Sequence, residues 1–255
     1  GFVSFDRSDN ADILNINIKG AENIVNACLE NGIEKLCFVS SSSAIGQGEN
    51  DELLNEEIYW TKKGKESIYA TSKYQAEMEV WRGINEGLNA VIVNPSIIIG
   101  PGDWRRSSIR LFYEINKGMR FYTNGVTGYV DVRDVVKAMI LLMNGEFTGE
   151  RYIISAGNYT YKQIITLIAD SLGKRPPDIY ATPFMSKIAY WLDWAWSLLT
   201  NSKRKISKDV LAASKSNIRF SNDKIRKATG MEFIPIEESI RHTSELFLKD
   251  LGTDI

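Results

Sequence analysis

Lys35-Leu-Cys-Phe-Val-Ser-Ser41 is a short apolar run that ends in small polar residues, with two more serines, Ser42 and Ser43, directly after it. An apolar stretch of this length without alternation reads as a strand buried on both faces, the pattern of a parallel sheet covered by helices. On its N-terminal side, Ile13, Ile16, Ile24, Val25, Ala27 and Cys28 recur at helical spacing, and Asn31-Gly32 supplies a stop. On its C-terminal side a loop rich in Gly, Asn and Glu leads to a helical pattern from Tyr69 to Glu86. A β-branched run from Leu88 to Ile99 follows and stops at Gly100-Pro101-Gly102-Asp103. Strand, helix, strand without hairpin turns implies right-handed parallel crossovers. Ligands of such sheets bind beyond the carboxyl ends of the strands, so the segments to watch are Ser40 to Gly46 and Asn94 to Asp103.

The alternation continues. Ser107 to Lys117 reads as a helix, Tyr129-Val-Asp-Val as a short extended segment and Arg133 to Met143 as an apolar helix. Arg151 to Ser155 reads as a strand, and Thr160 is placed to cap a helix running to Leu172. Past Lys174-Arg-Pro-Pro-Asp178 the segments 184–200, 207–214, 221–229 and 236–250 are helical in pattern. The expected fold class is α/β, with a parallel sheet and flanking helices over residues 1–160 and a smaller, mostly helical lobe over 161–255.

With 255 residues and 44% hydrophobic content the chain can bury a sizeable core. Thirty-one basic residues against 32 acidic give a formal charge of -1, which offers no surplus for nucleic acid or an acidic membrane surface. The default partner is a small molecule. Cys28 and Cys37 lack metal-ligand spacing and read as buried structural thiols, so no metal is expected. There is no leader pattern and no apolar run near the ~20 residues of a membrane span. A cytoplasmic protein without stable membrane insertion is expected. Phe184 to Leu199 comes closest to a span but is broken by Lys187 and Asp193. It reads as an amphipathic helix, packed or lining a pocket with Phe184, Tyr190, Trp191, Trp194 and Trp196. Weak surface attachment to a membrane through the tryptophans is the alternative. His242, the single histidine, reads as a surface or core residue.

Tyr69 and Lys73 stand at i and i+4, which brings a phenol and an ammonium to one helix face. A phenol of pKa ~10 is a poor base at neutral pH, and a neighbouring cation lowers that value enough for reversible proton exchange with a hydroxyl or carbonyl. The bland alternative is an ordinary surface pair. Ser40 to Ser43, ending the preceding strand, can hydrogen-bond the same substrate oxygen, or merely cap backbone groups. Asn94-Pro95-Ser96 and the Gly100 to Asp103 turn fix the backbone where it can approach a ligand closely, or form a simple loop.

Taken in order, these residues resemble the extended short-chain dehydrogenase/reductases, the superfamily that includes sugar-nucleotide epimerases, dihydroflavonol reductases and 3β-hydroxysteroid dehydrogenases. Asn17-Ile-Lys-Gly20-Ala-Glu-Asn23 resembles the family's N-V-x-G-T-x-N helix, and Phe38 to Gly46 resembles the strand motif whose hydroxyl lies five residues before a glycine. The resemblance implies a Rossmann-like sheet. It gives the catalytic hydroxyl role to Ser41, with Ser43 as the alternative, and the acid/base role to Tyr69. Lys73 becomes the partner that also holds the nicotinamide ribose. Asn94, Pro95 and Ser96 join Tyr69 and Lys73 as cofactor-binding residues bordering the nicotinamide of NAD or NADP, and Asn17 supports the site. Tyr129 to Asp134 is similar to a downstream family motif. Asn94-Pro95 is more like the reductases than the epimerases, and Ser42-Ser43 stand where nucleotide-sugar dehydratases carry Asp-Glu.

The family opens with a strand and a glycine-rich turn that cradles the cofactor pyrophosphate on a helix N-terminus. This sequence has no such turn, and its start resembles the stretch after the family's fourth strand. Roughly 60 to 80 residues, two βαβ units, are N-terminally truncated relative to the pattern. Weak cofactor binding by the isolated chain, an unpaired sheet edge and association into a homo-oligomer are therefore expected. Two further readings stay open: an epimerase using Arg105, Arg106 and Arg110 on a diphosphate, and a cofactor-free binding protein.

Overall fold

The hydroxyl of Ser67 accepts the backbone N–H of Ala70 at 3.1 Å and so starts the long helix on which Tyr69 and Lys73 ride. The computed structural model describes residues 1–3, 9–46, 52–58, 60, 66–106, 108–200 and 217–253, the side chains of 183, 187 and 194–199 excepted. The helix expected at 207–214, Ser107, and the side chains of Trp194 and Trp196 lie outside the described residues.

Helix α1 (Asn10–Leu14) runs through a π-helical segment (Asn15–Lys19) into α2 (Gly20–Glu30). Strand β1 (Leu36–Val39) follows, then a 3₁₀ turn (Ser42–Ala44) and the short β2 (Leu53–Leu54). Helix α3 (Ile68–Asn85) crosses over to β3 (Ala90–Pro95), which is followed at once by β4 (Ile97–Ile99). Next come α4 (Arg110–Asn116), β5 (Phe121–Tyr122), β6 (Val126–Asp131) and α5 (Val132–Asn144). They lead to β7 (Glu150–Ile154), β8 (Gly157–Thr160) and α6 (Tyr161–Ser171). The chain then forms β9 (Ile179–Tyr180), α7 (Pro183–Thr200), β10 (Arg219–Phe220), α8 (Asp223–Thr229) and α9 (Ile236–Thr253).

The principal sheet has the order β1-β3-β7 and is parallel throughout, with Leu36 opposite Ala90 and Pro95 opposite Ile154 at its two ends. Side chains alternate between two helical layers, as a strand covered on both faces requires. Ala90 and Ile92 join Val25, Cys28 and Val80 of α2 and α3. Val91, Val93, Tyr152 and Ile154 join Val135, Ala138 and Leu142 of α5 and Ile225 of α8. This is the Rossmann-like arrangement expected. Lys35 closes α5 by donating to the carbonyls of Leu142 and Gly145, both at 2.7 Å.

Three local expectations change. β1 is half-buried instead of enclosed, and Val39 is 39% exposed, because β3 is its one ladder partner among the described residues. Beside it α5 turns a second apolar stripe, Val136 and Ile140, outward. The Leu88 to Ile99 run is two strands, since Pro95 has no N–H for the ladder; beyond it Ile97 to Ile99 pair with β6 in a second sheet, β4-β6-β8. There β6 and β8 are antiparallel, so not every crossover is parallel. β8 has no apolar alternation in its sequence to announce it. The second sheet shares a core with α4, α6 and α9 through Ile99, Phe112, Ile164, Ile240 and Phe247. Thr160 caps α6 as expected, in a capping box with Gln163.

On α7, Phe184 and Trp191 are 72% and 61% exposed instead of packed or enclosed, while Ser186 is buried. Among the described residues no helix is long and apolar enough to cross a membrane.

Close packing of α2 on α3 depends on Gly83, where a Cβ would lie 2.5 Å from Val25 Cγ1. Gly83→Ala is expected to lower unfolding free energy by about 1–3 kcal/mol in a denaturant melt. Gly20→Ala, whose Cβ would meet open space, is expected to leave it unchanged or raise it by up to about 1 kcal/mol.

Candidate active site at the carboxyl ends of β1 and β3

Parallel pairing sets the carboxyl ends of β1 and β3 side by side, held by the Ser40 N–H donating to the Val93 carbonyl at 2.8 Å. Helix α3, as the crossover, begins above that edge. Lys73, almost fully buried, donates from Nζ to the Val39 carbonyl at 3.0 Å and lies 5.2 Å from the Phe38 ring centroid. One turn earlier stands Tyr69, near enough to Ser41 for that hydroxyl to act on the phenol. Ser41 is the first residue past the strand end to turn, N-capping the 3₁₀ segment in extended geometry. Its Oγ accepts the Ser43 N–H at 3.2 Å and the Ser43 hydroxyl at 2.9 Å. Ser43 is thus bonded directly to Ser41 at this strand end.

Burial pushes the Tyr69 phenol above its ordinary value, and the Ser41 hydroxyl pulls it partly back. Burial also lowers Lys73, against the opposing pull of the Glu77 carboxylate. The expected lowering of Tyr69 by its cationic neighbour is therefore not the net result. Loss of hydration wins, which favours the neutral phenol and makes it a proton donor. Lys73 spends its hydrogen bond on Val39 and faces Glu77.

Asn94 is fully buried, and its amide donates to the Ser41 carbonyl at 3.0 Å and to Glu77 Oε2 at 2.8 Å. Asn94 Oδ1 and Ser40 Oγ are buried and lack a hydrogen-bond partner among the described residues. Ser96 uses its hydroxyl on the Ile154 carbonyl at 3.3 Å, and Pro95 is buried at the end of β3. Asn17 sits in the π-helical segment, a distortion that often marks functional positions. Its amide donates to the Ser72 hydroxyl at 2.9 Å and to the Phe2 carbonyl at 3.0 Å, while its Oδ1 accepts the Phe2 N–H at 2.6 Å. Ser72 in turn donates to the Tyr69 carbonyl at 2.8 Å. Tyr69, Lys73, Ser41, Asn94, Pro95 and Ser96 thus gather at one sheet end.

Several other residues, some of them read from the sequence, serve elsewhere. Glu56 accepts the Ile153 N–H at 2.8 Å, and Trp60 stacks on Tyr74 with ring centroids 4.5 Å apart, so both pin the preceding loop. Asp131 accepts from Ser239 at 2.6 Å and Asp134 from the Ile234 N–H at 2.8 Å, fastening the C-terminal segment to α5. Arg106 and Arg110 pair on the surface with Asp103 and Glu114. Cys28 is buried and Cys37 half-buried, both free. Glu77 and Arg151 went unnoticed in the sequence. The available signal was an acid at the inner-face spacing of α3, one turn after Lys73.

The sequence profile described as "NAD dependent epimerase/dehydratase family" matches residues 1–155. Sterol demethylase protein B of Methylococcus capsulatus is 29% identical over 189 residues, 71% of this chain and 56% of that protein. Cinnamoyl-CoA reductase 1 of Petunia hybrida is 25% identical over 234 residues, 88% of this chain and 62% of that protein. The chain therefore spans less than two thirds of the length of these relatives. The crystal structure of gox2253 superposes with a TM-score of 0.80 at 26% identity, covering 95% of this chain and 74% of the other.

Asn17 joins the Phe2 backbone to α3 in a buried setting, so its loss strands several polar groups at once. Asn17→Ala is expected to cost about 1–3 kcal/mol of unfolding free energy. Amide exchange at Phe2 should accelerate in the same variant; a protected Phe2 amide would show that the clamp lies elsewhere.

Proposed function

The chain belongs to the NAD dependent epimerase/dehydratase family, and we propose that it carries the proton-transfer side of an NAD(P)-dependent oxidoreductase. The substrate class is a small, hydrophobic carbonyl compound or the matching secondary alcohol. The observation that carries this reading is the convergence of Tyr69, Lys73 and Ser41 at two parallel strand ends, where buried Lys73 is bonded to the Val39 carbonyl. Names among its relatives, a cinnamoyl-CoA reductase and a sterol demethylase protein, support a hydrophobic carbonyl substrate.

The residues present suit the nicotinamide end of such a cofactor. Lys73 has three donors and commits one to Val39, which leaves donors for ribose hydroxyls. The free acceptor Asn94 Oδ1 and the Ser40 hydroxyl are buried at the same strand ends, polar capacity that a ligand would use. Asn94 would act mainly by fixing Ser41, since its amide is spent on the Ser41 carbonyl and Glu77. Pro95 and Ser96 would border the ring through backbone shape.

A bound nicotinamide supplies or accepts the hydride. Tyr69, kept neutral by burial, gives its proton to the substrate oxygen during reduction and takes one from the alcohol during oxidation. Ser41, oriented by both Ser43 contacts, directs its hydrogen toward that oxygen or the phenolate. Lys73 lowers the cost of the phenolate left behind.

Tyr69→Phe in the full gene product is expected to cut NADPH-dependent reduction of an aromatic aldehyde by about 10²–10⁴-fold. Fluorescence titration should show NADPH still bound, its affinity lowered by no more than about tenfold. Turnover equal to the parent protein would remove Tyr69 from the reaction.

A further inference from the structure

We infer that Glu77 is a positioning residue for proton transfer, a buried anion one helical turn from Lys73 that fixes Asn94 and through it Ser41, and sets the pH range over which the Tyr69–Lys73 pair works. The inference deepens the oxidoreductase reading and rests on it.

Glu77 is fully buried on the inner face of α3, one turn from Lys73 and two from Tyr69. Each carboxylate oxygen is engaged. Oε1 accepts Arg151 at 3.2 Å and the Trp81 indole N–H at 3.4 Å, and Oε2 accepts the Asn94 amide at 2.8 Å. A carboxylate this deep is held by its partners, because burying an isolated charge is far more costly than burying a paired one. Through Asn94 the contact continues to the Ser41 carbonyl at 3.0 Å. One side chain therefore joins α3, the end of β3 and, through Asn94, the backbone of Ser41.

Arg151 is itself fixed from another side. Its Nε and one terminal nitrogen donate to the Glu56 carbonyl at 3.0 and 2.7 Å, and that nitrogen also reaches the Ile58 carbonyl at 2.9 Å. The loop ahead of α3, strand β7 and α3 are thus clamped around Glu77.

Charge follows the same geometry. Two cations, Lys73 and Arg151, flank one buried anion. The groups around Lys73 are Tyr69 and Glu77 on α3, the Phe38 ring and Val39 carbonyl of β1, and the backbone at Gly1, where a Cβ would lie 3.8 Å from Nζ. The groups on Glu77 are Arg151 from β7, Asn94 from β3 and Trp81 from α3. Glu77 opposes the loss of the Lys73 proton that burial promotes. Neutralising Glu77 makes both Lys73 and Tyr69 easier to deprotonate, and neutralising Arg151 makes both harder. These apparent values belong to the pair as a unit.

The test compares pH–rate profiles of NADPH-dependent reduction of an aromatic aldehyde by the full gene product and its variants. Glu77→Gln is expected to lower kcat about tenfold and to move the alkaline limb down by about half a pH unit or more. Its KM for NADPH should change less than kcat. Arg151→Met is expected to move the same limb upward. The double variant, which leaves neither buried charge alone and so preserves the fold, is expected to fall between the two.

A purely structural role predicts lower rates at every pH with one common limb, and that result would overturn the inference. If either single variant lacks a folded melting transition, the double variant and the remaining single variant decide by the same criterion. Tyr69→Phe run alongside separates the two levels: an active Tyr69→Phe protein sinks the oxidoreductase reading. An inactive one with unmoved limbs in the Glu77 and Arg151 variants sinks this inference alone.

Discussion

Parallel pairing of β1 with β3 obliges the chain between them to travel back along the sheet, and α3 is that return path. Every feature of the site follows from it. The strand ends lie together at one edge, the crossover helix starts above them, and its first two turns hold Tyr69 and Lys73 over the Val39 carbonyl. A hairpin connection would have brought the end of β1 beside the start of β3 and separated Ser41 from Asn94.

The cost of this arrangement is burial of polar groups, and the structure answers it with a connected network. Asn17, Ser72, Lys73, Glu77 and Asn94 are all buried, and each is bonded to a backbone or side-chain partner. Such networks hold geometry because no member can turn away without stranding a neighbour. Among the described residues four buried side-chain oxygens lack a partner, and two of them, Asn94 Oδ1 and Ser40 Oγ, lie at the strand ends beside Ser41. Structural demand and room for a ligand meet there.

The edge of the sheet has a different character. β1 keeps one face and one ladder exposed among the described residues, with Val39 and the outer stripe of α5 in reach of solvent. α5 has apolar residues on two faces, and the inner one, Val135, Ala138 and Leu142, alone is needed for the described core. α7 also exposes apolar side chains, with Phe184 turned to solvent while Ser186 is buried.

Periodicity and punctuation determined much by themselves. The spacing of Ile13, Val25 and Cys28, the serine-ended run at β1, the Thr160 cap and the i, i+4 placement of Tyr69 and Lys73 are local properties, written in neighbouring residues. They fixed the helices, the parallel strands and the face on which the phenol and ammonium stand. Tertiary structure alone decided the rest, because those contacts join residues far apart in the chain. The Glu77–Arg151 pair spans 74 positions and the Asn94–Ser41 bond 53. The half-exposure of β1 and the division at Pro95 depend on which strand lies alongside. Burial of Tyr69 likewise reversed the direction in which its neighbour alone would have moved its proton affinity, since desolvation is set by everything packed around a group and not by its sequence neighbours.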